Sequence, residues 1–253
     1  MIEGSFARDI RWLFTDRRGG HSEPPYDELN LATHVGDDES VVAMNRAVAT
    51  RRLVGDPHDS AASMPRMVAV RAVHGAAVGV VDERTDADVE SVDALVSRTP
   101  DIALLVIAAD CVPIVMADPV AGVIACVHAG WRGLVAGVAS AAVGAMCDQG
   151  ARPDRIECVL GPSICGRCYV VDRQRYDEVA AVAPTAASMS LERALTIDIR
   201  QGLWTQLFDS GVRVSVVGSC TRESPEYFSY RRDGVTGRQG ALIVRTATTG
   251  GAR

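Results

Sequence analysis

The apolar positions of the chain fall into short blocks with two periods, and the two kinds of block alternate along it. Ile10 to Phe14 reads as a strand, and Thr15 to Pro25 after it is loop chemistry, dense in Gly, Pro and charge. Acids at Asp37, Asp38 and Glu39 precede the apolar-periodic run Val41 to Leu53, which predicts a helix with an acidic first turn matched to its dipole. The middle of the chain alternates strand-like blocks with turn residues: Met67 to Val73, Val78 to Val81, Ala94 to Val96, Ile102 to Ala108, Pro113 to Ala117 and Gly122 to Val127. Gly130-Trp131-Arg132-Gly133 then opens an alanine-rich stretch to Met146, predicting one long helix that ends near Gly150 and Pro153. Further on, Ile156 to Leu160, Val212 to Val217 and Val235 to Val244 read as strands, and Arg173 to Ala183 and Ile197 to Asp209 as helices. No repeat or linker interrupts this order, so residues 1–245 predict one α/β domain and residues 246–253 a flexible C-terminal tail.

Composition narrows the chemistry. All 26 basic residues are arginine. With no lysine, Schiff-base catalysis and a P-loop lysine are excluded, and any anion must be held by arginine or by backbone N–H groups. A net charge of −6 gives no electrostatic reason to expect nucleic acid or an anionic membrane. The seven cysteines are an odd count that does not suit a secreted disulfide framework, and Met1 to Asp9 mixes charge where a signal peptide is apolar; a cytoplasmic protein is expected. Asp110, Pro113, Asp118 and Pro119 divide the apolar region 102–127 into strand lengths rather than a membrane span.

Three donors share a context, each following an apolar run: His74, Cys111 and His128. If the runs are neighbouring strands, the side chains converge at one sheet edge, where open α/β sheets place ligands. Two imidazoles and a thiolate suit Zn²⁺ and leave a fourth position open, the arrangement of a catalytic site. Read singly, each His is more often a hydrogen-bonded turn residue and Cys111 a small buried hydrophobe. The helix start after His128 offers N–H groups and Arg132 to a phosphate, although Arg132 also suits a solvated helix face. Arg46 and Arg232 are two further candidate phosphate ligands. Cys165-Gly166-Arg167-Cys168 has Cys-x-x-Cys spacing, but with no second such pair it reads as packing cysteines near a rim loop.

Several motifs in order carry a resemblance over nearly the whole chain: Thr15 to Ser22, Leu29 to Asp37, Val73-His74-Gly75, Asp93 to Val96, Ala109-Asp110-Cys111-Val112-Pro113, His128 to Gly133, Cys220-Thr221 and Phe228 to Gly234. They resemble the YfiH family, also called the peptidoglycan editing factor family and the laccase-domain or polyphenol oxidase proteins. The resemblance implies a layered α/β/β/α sandwich with mixed sheets and zinc on His74, Cys111 and His128. It also implies phosphorolysis of adenosine, inosine and S-methyl-5′-thioadenosine, with adenosine deamination as a further activity. Ala72 and Val170 depart from the family's usual Gln and Glu and bear on substrate preference.

The ligand supply ranks the mechanisms. Five histidines are too few for a multicopper laccase, so copper is the weaker expectation. Zinc deaminases place a glutamate beside a ligand, and neither His74 nor His128 opens a His-x-Glu, which puts phosphorolysis first. The alternatives are a cysteine hydrolase, or an editor of peptidoglycan precursors, with Cys111 as nucleophile. The expected partners are a nucleoside and phosphate, bound by a monomer.

Overall fold

Two six-stranded mixed sheets lie face to face in this computed structural model, which describes residues 1–55 and 64–247. The first sheet runs, edge to edge, Ile2–Ala7 (β1), Ile10–Phe14 (β2), Gln239–Arg245 (β14), Ile102–Ala108 (β7), Arg66–Arg71 (β3) and Val89–Glu90 (β5). The second runs Arg213–Val216 (β13), Glu157–Leu160 (β10), Val112–Asp118 (β8), Val123–Ala129 (β9), Ala94–Ser97 (β6) and Val78–Val81 (β4). Ala187–Met189 (β11) and Leu195–Ile197 (β12) form a separate ribbon.

Alternation along the strands builds three cores. Leu104 and Val106 of β7 meet Val115, Ile124 and Cys126 between the sheets, whereas Ala103 and Leu105 face the other way, under Glu39–Val54 (α1). On the far side of the second sheet, Ile114, Met116, Ala125 and Val127 pack beneath Val138–Asp148 (α3), Arg173–Val182 (α4) and Ile199–Asp209 (α5). Covering both faces explains why the strands read as continuous apolar runs. Each fully buried Leu, Ile or Val contributes about 1.5–3 kcal/mol. The result is the expected α/β/β/α sandwich, with Asp38 capping α1 through the N–H groups of Ser40 and Val41.

Two of the departures from the predicted elements have a local cause. The long helix after Gly130 is two, Trp131–Ala136 (α2) and α3, because Gly137 takes φ +78° and its N–H closes back on Gly133 and Leu134. Strand β3 stops at Arg71 rather than Val73, because the N–H groups of Val73, His74 and Gly75 go to the Asp93 carboxylate instead of a strand. At the C terminus, Thr246 donates its N–H to the Asp9 carbonyl at 2.8 Å and Ala247 donates to Asp101 at 3.0 Å. The rest of the predicted tail, 248–253, lies outside the described residues. The apolar region 102–127 is strands, and no described helix is long and apolar enough to cross a membrane.

Candidate active site

His74, Cys111 and His128 converge, but where the two sheets meet rather than at one sheet edge. β3, leading to His74, belongs to the first sheet; β9, which contains His128, belongs to the second; Cys111 sits on the turn that carries the chain from β7 to β8. The antiparallel register pairs Val112 with Ala129, which brings Cys111 alongside Gly130. A Cβ on Gly130 would stand 3.1 Å from the Cys111 sulfur and 3.1 Å from His74 Cδ2, so glycine lets the backbone pass close beside the trio. The two imidazoles stand edge to face, with centroids 4.8 Å apart and an interplanar angle of 87°. One donor atom from each of the three residues lies within 4.8 Å of the others.

Two carboxylates hold this arrangement. Asp93 is fully buried; its Oδ1 accepts the His74 N–H at 2.9 Å and lies 3.1 Å from His128 Nδ1, and its Oδ2 accepts the Gly75 N–H at 2.6 Å. His128 is thereby oriented with Nε2 left for the trio, as carboxylates orient metal-ligating histidines. His74 takes φ +61°, a conformation that these bonds sustain. Asp110, at φ +91°, accepts hydroxyl bonds from Thr221 at 2.6 Å and Ser229 at 2.7 Å, and the Arg231 N–H at 2.7 Å. It fixes the turn that presents Cys111.

The charges are coupled. Burial works against the Cys111 thiolate, but His128 and then His74 outweigh it and bring the thiol down to about 6. Burial likewise opposes the His128 imidazolium, and Cys111 and Asp93 push it up to about 9. The Asp93 carboxyl, opposed by burial, is held below the usual range by His128 and the N–H groups of Gly75 and His74. In the metal-free chain the pair is therefore a thiolate and an imidazolium.

Two cavities adjoin the trio and share His74, Cys111 and Tyr230. One, of about 290 Å³, adds an apolar wall of Val70, Ala72 and Ile107 to the polar groups of His34 and Arg238. Burial, with Arg238, Arg71 and Arg46 nearby, holds the His34 imidazole below its ordinary value, so His34 faces this cavity neutral. The other, of about 210 Å³, is lined by Arg132, Arg175 and Arg231 among Trp131, Tyr169 and Ile199. Arg132 and Arg175 both lie over the Trp131 ring, at 4.5 and 4.9 Å, and Arg231 lies 4.8 Å over Tyr169. The Arg175 Nε is buried without a hydrogen-bond partner.

Of the three arginines expected at the phosphate, only Arg132 lines a cavity beside the trio. Arg46 donates to the Leu31 carbonyl at 3.0 Å and pairs with Asp88 at 3.1 Å. Arg232 donates to the carbonyls of Thr221, Ser224 and Tyr227 and pairs with Asp233, riveting the loop before Tyr230–Asp233 (α6). Neighbours on a helix point about 100° apart, so of Arg231 and Arg232 one faces the cavity and the other the loop. Arg175 carries no local spacing signal, whereas His34 and Asp93 lie inside motifs that carry the family resemblance without any role being assigned to them there. Cys165 and Cys168, read as packing residues, lie together with Cys220 and Glu223 in a second cluster of metal-capable donors.

The family model described as multi-copper polyphenol oxidoreductase laccase matches residues 11–246. A purine nucleoside phosphorylase of Streptomyces coelicolor is 48% identical over 232 residues, covering 91% of this chain and 93% of the relative. An adenosine deaminase from an unknown prokaryotic organism is 37% identical, covering 95% of this chain and 97% of its own length. Among solved structures, YfiH of Bacillus licheniformis superposes with a TM-score of 0.83 at 29% identity, covering 93% of this chain and 92% of that one. The chain belongs to the laccase-like YfiH family, and its metal-capable trio stands in that family's fold.

Proposed function

We propose that the chain is a cytoplasmic, zinc-dependent purine nucleoside phosphorylase acting on adenosine, inosine and S-methyl-5′-thioadenosine. The observation that carries this reading is the cavity lined by Arg132, Arg175 and Arg231, which adjoins the metal-capable trio. Three guanidiniums in one recess suit a phosphate dianion, and a bidentate arginine contact is among the strong charge-assisted hydrogen bonds. The name carried by the Streptomyces relative supports the same reaction.

The trio fits zinc. Two ring nitrogens and a thiolate match its donor preference, and Asp93 supplies the outer carboxylate for His128. With five histidines in the whole chain, a mononuclear plus a trinuclear copper set is short of imidazoles, whatever the family description says. When bound, zinc supplies a fixed positive charge at the junction of the two cavities.

The remaining work falls to the chain's own residues. Arg132, Arg175 and Arg231 hold phosphate and offset its charge, and stacking on Trp131 and Tyr169 keeps the guanidiniums oriented. The purine nucleoside occupies the larger cavity against Val70, Ala72 and Ile107, with neutral His34 and Arg238 as polar partners and Tyr230 between the two sites. Phosphate oxygen attacks C1′, the glycosidic C–N bond breaks, and the base leaves with a proton as ribose 1-phosphate forms. Positioning two reactants across one wall is the main catalytic contribution of such a site. The enzyme so proposed works as a monomer in a reducing compartment.

Deamination ranks second. The relative named adenosine deaminase favours it, but Asp93 and Asp110 beside the trio are both engaged in fixed hydrogen bonds, which leaves neither for proton transfer to the base. The cysteine hydrolase reading rests on Cys111 lying near 6 beside His128; a metal on that thiolate removes its nucleophile. Incubating zinc-loaded protein with adenosine and phosphate separates the outcomes: adenine and ribose 1-phosphate are expected, whereas inosine and ammonia, without adenine, would reverse the ranking.

A further inference from the structure

We propose a second metal site, separate from the His74–Cys111–His128 centre: a structural Zn²⁺ held by the thiolates of Cys165, Cys168 and Cys220 and the carboxylate of Glu223. β10 and β13 are parallel neighbours, so the loops that follow them emerge at the same end of the sheet. The first loop carries Cys165-Gly166-Arg167-Cys168 and the second Cys220-Thr221-Arg222-Glu223, two donor pairs of identical spacing. A β-bridge between Ser163 and Cys220, with the Thr221 N–H donating to the Ser163 carbonyl at 3.1 Å, sets the loops in register.

One donor atom from each of the four residues lies within 4.8 Å of the others. A tetrahedral ion with Zn–S near 2.3 Å places its sulfurs about 3.8 Å apart. Closing the cluster on an ion therefore takes side-chain rotation and a small contraction, with no rebuilding of the loops. The Cys165 carbonyl accepts the N–H groups of Cys168 at 3.0 Å and Tyr169 at 3.1 Å, which folds the first pair into a tight turn. The Cys165 N–H donates to the Cys220 sulfur at 3.3 Å, which ties the second pair to the first.

Three thiolates select a soft or borderline ion over Mg²⁺ or Ca²⁺, and a complete set of four protein ligands is the mark of a structural zinc. Four anionic donors leave an excess of −2 around Zn²⁺, and Arg167 stands 3.8 Å from Glu223 to offset it. The loops so joined also support the catalytic turn. Ile164 donates its N–H to the Asp110 carbonyl at 3.0 Å, Thr221 donates its hydroxyl to the Asp110 carboxylate at 2.6 Å, and Tyr169 lines the arginine cavity.

Metal analysis of reduced protein supplied with Zn²⁺ tests the site without reference to any reaction, so it stands or falls apart from the phosphorylase reading. Wild-type protein should hold two zinc ions per chain and Cys111→Ala one. In the Cys111→Ala chain, Co²⁺ should give the intense thiolate charge-transfer absorption of a three-sulfur tetrahedral site. Adding Cys220→Ser should remove that band; if this variant does not fold, Glu223→Gln in the same background should shift the Co²⁺ spectrum with the fold intact. A Cys111→Ala chain that binds no metal, or one in which Cys165 and Cys168 remain a disulfide after reduction and exposure to zinc, overturns the proposal.

Discussion

Asp93 Oδ1 stands 3.1 Å from His128 Nδ1, and the same carboxylate takes the N–H groups of His74 and Gly75, so one buried acid positions two of the three metal-capable side chains. Removing that charge while keeping its shape should leave both histidines present but poorly aimed. Asp93→Asn is expected to weaken zinc binding about 10- to 100-fold. Competition against a chelator of known affinity measures it, and an unchanged affinity would mean that Asp93 serves the loop alone.

The Cys111–His128 pair predicts a proton count. Between about 6 and about 9 the pair carries one proton, on the imidazole, and a metal must displace it. Zinc affinity therefore falls as pH drops below about 9, and more steeply below about 6, where the thiolate also takes up a proton; above about 9 the pair's contribution levels off. Calorimetry of zinc binding near pH 7.5, in buffers of different ionisation enthalpy, should show this proton released, whereas no release would mean that the pair carries none.

Arginine substitutions should divide into two groups. Arg175→Ala and Arg231→Ala each remove a guanidinium from the recess and should raise the phosphate KM or lower kcat at least tenfold, about 1.4 kcal/mol, with zinc retained. Arg46→Ala and Arg232→Ala break internal hydrogen bonds instead and should cost about 1–3 kcal/mol of stability. Phosphate saturation curves and denaturant melts on the same four proteins separate the groups.

Asp118 offers a pH test of the fold away from the site. Its buried carboxylate accepts the N–H groups of Val120, Ala121 and Arg152 and pairs with Arg155 at 3.0 Å. Burial opposes the charge, but these bonds hold the carboxyl below its ordinary value. A depressed carboxyl contributes stability that is complete above the unfolded value near 4 and is lost as pH falls through the folded one. Asp118→Asn should therefore be less stable than wild type at pH 7 by about 1–3 kcal/mol, with the gap closing in acid. Urea melts at pH 7 and pH 3.5 measure the difference.

The strands were legible where both faces are buried, since β7, β8 and β9 read as unbroken apolar runs. Short pieces such as β5, β11 and β12 carry too few residues for a period, and Gly137 split a helix whose composition gave no warning. In the site, the metal-capable trio stood out by residue type at strand ends. The arginines did not, because facing inward depends on helix phase and on competing carbonyls, which engage Arg232 while Arg231 lines the cavity. Cys220 and Glu223 escaped notice because their link to Cys165 and Cys168 runs through the pairing of β10 with β13 and not through sequence distance.

The central claim is that phosphate is the attacking group, held by arginines beside a metal on Cys111. The measurement is release of hypoxanthine from inosine by zinc-loaded protein, with phosphate varied from none to saturating and ribose 1-phosphate followed as co-product. The account predicts that base release rises with phosphate and saturates, that each hypoxanthine is matched by one ribose 1-phosphate, and that Cys111→Ala shows neither. Base release that proceeds equally well without phosphate and yields free ribose would make the enzyme a hydrolase and contradict the account.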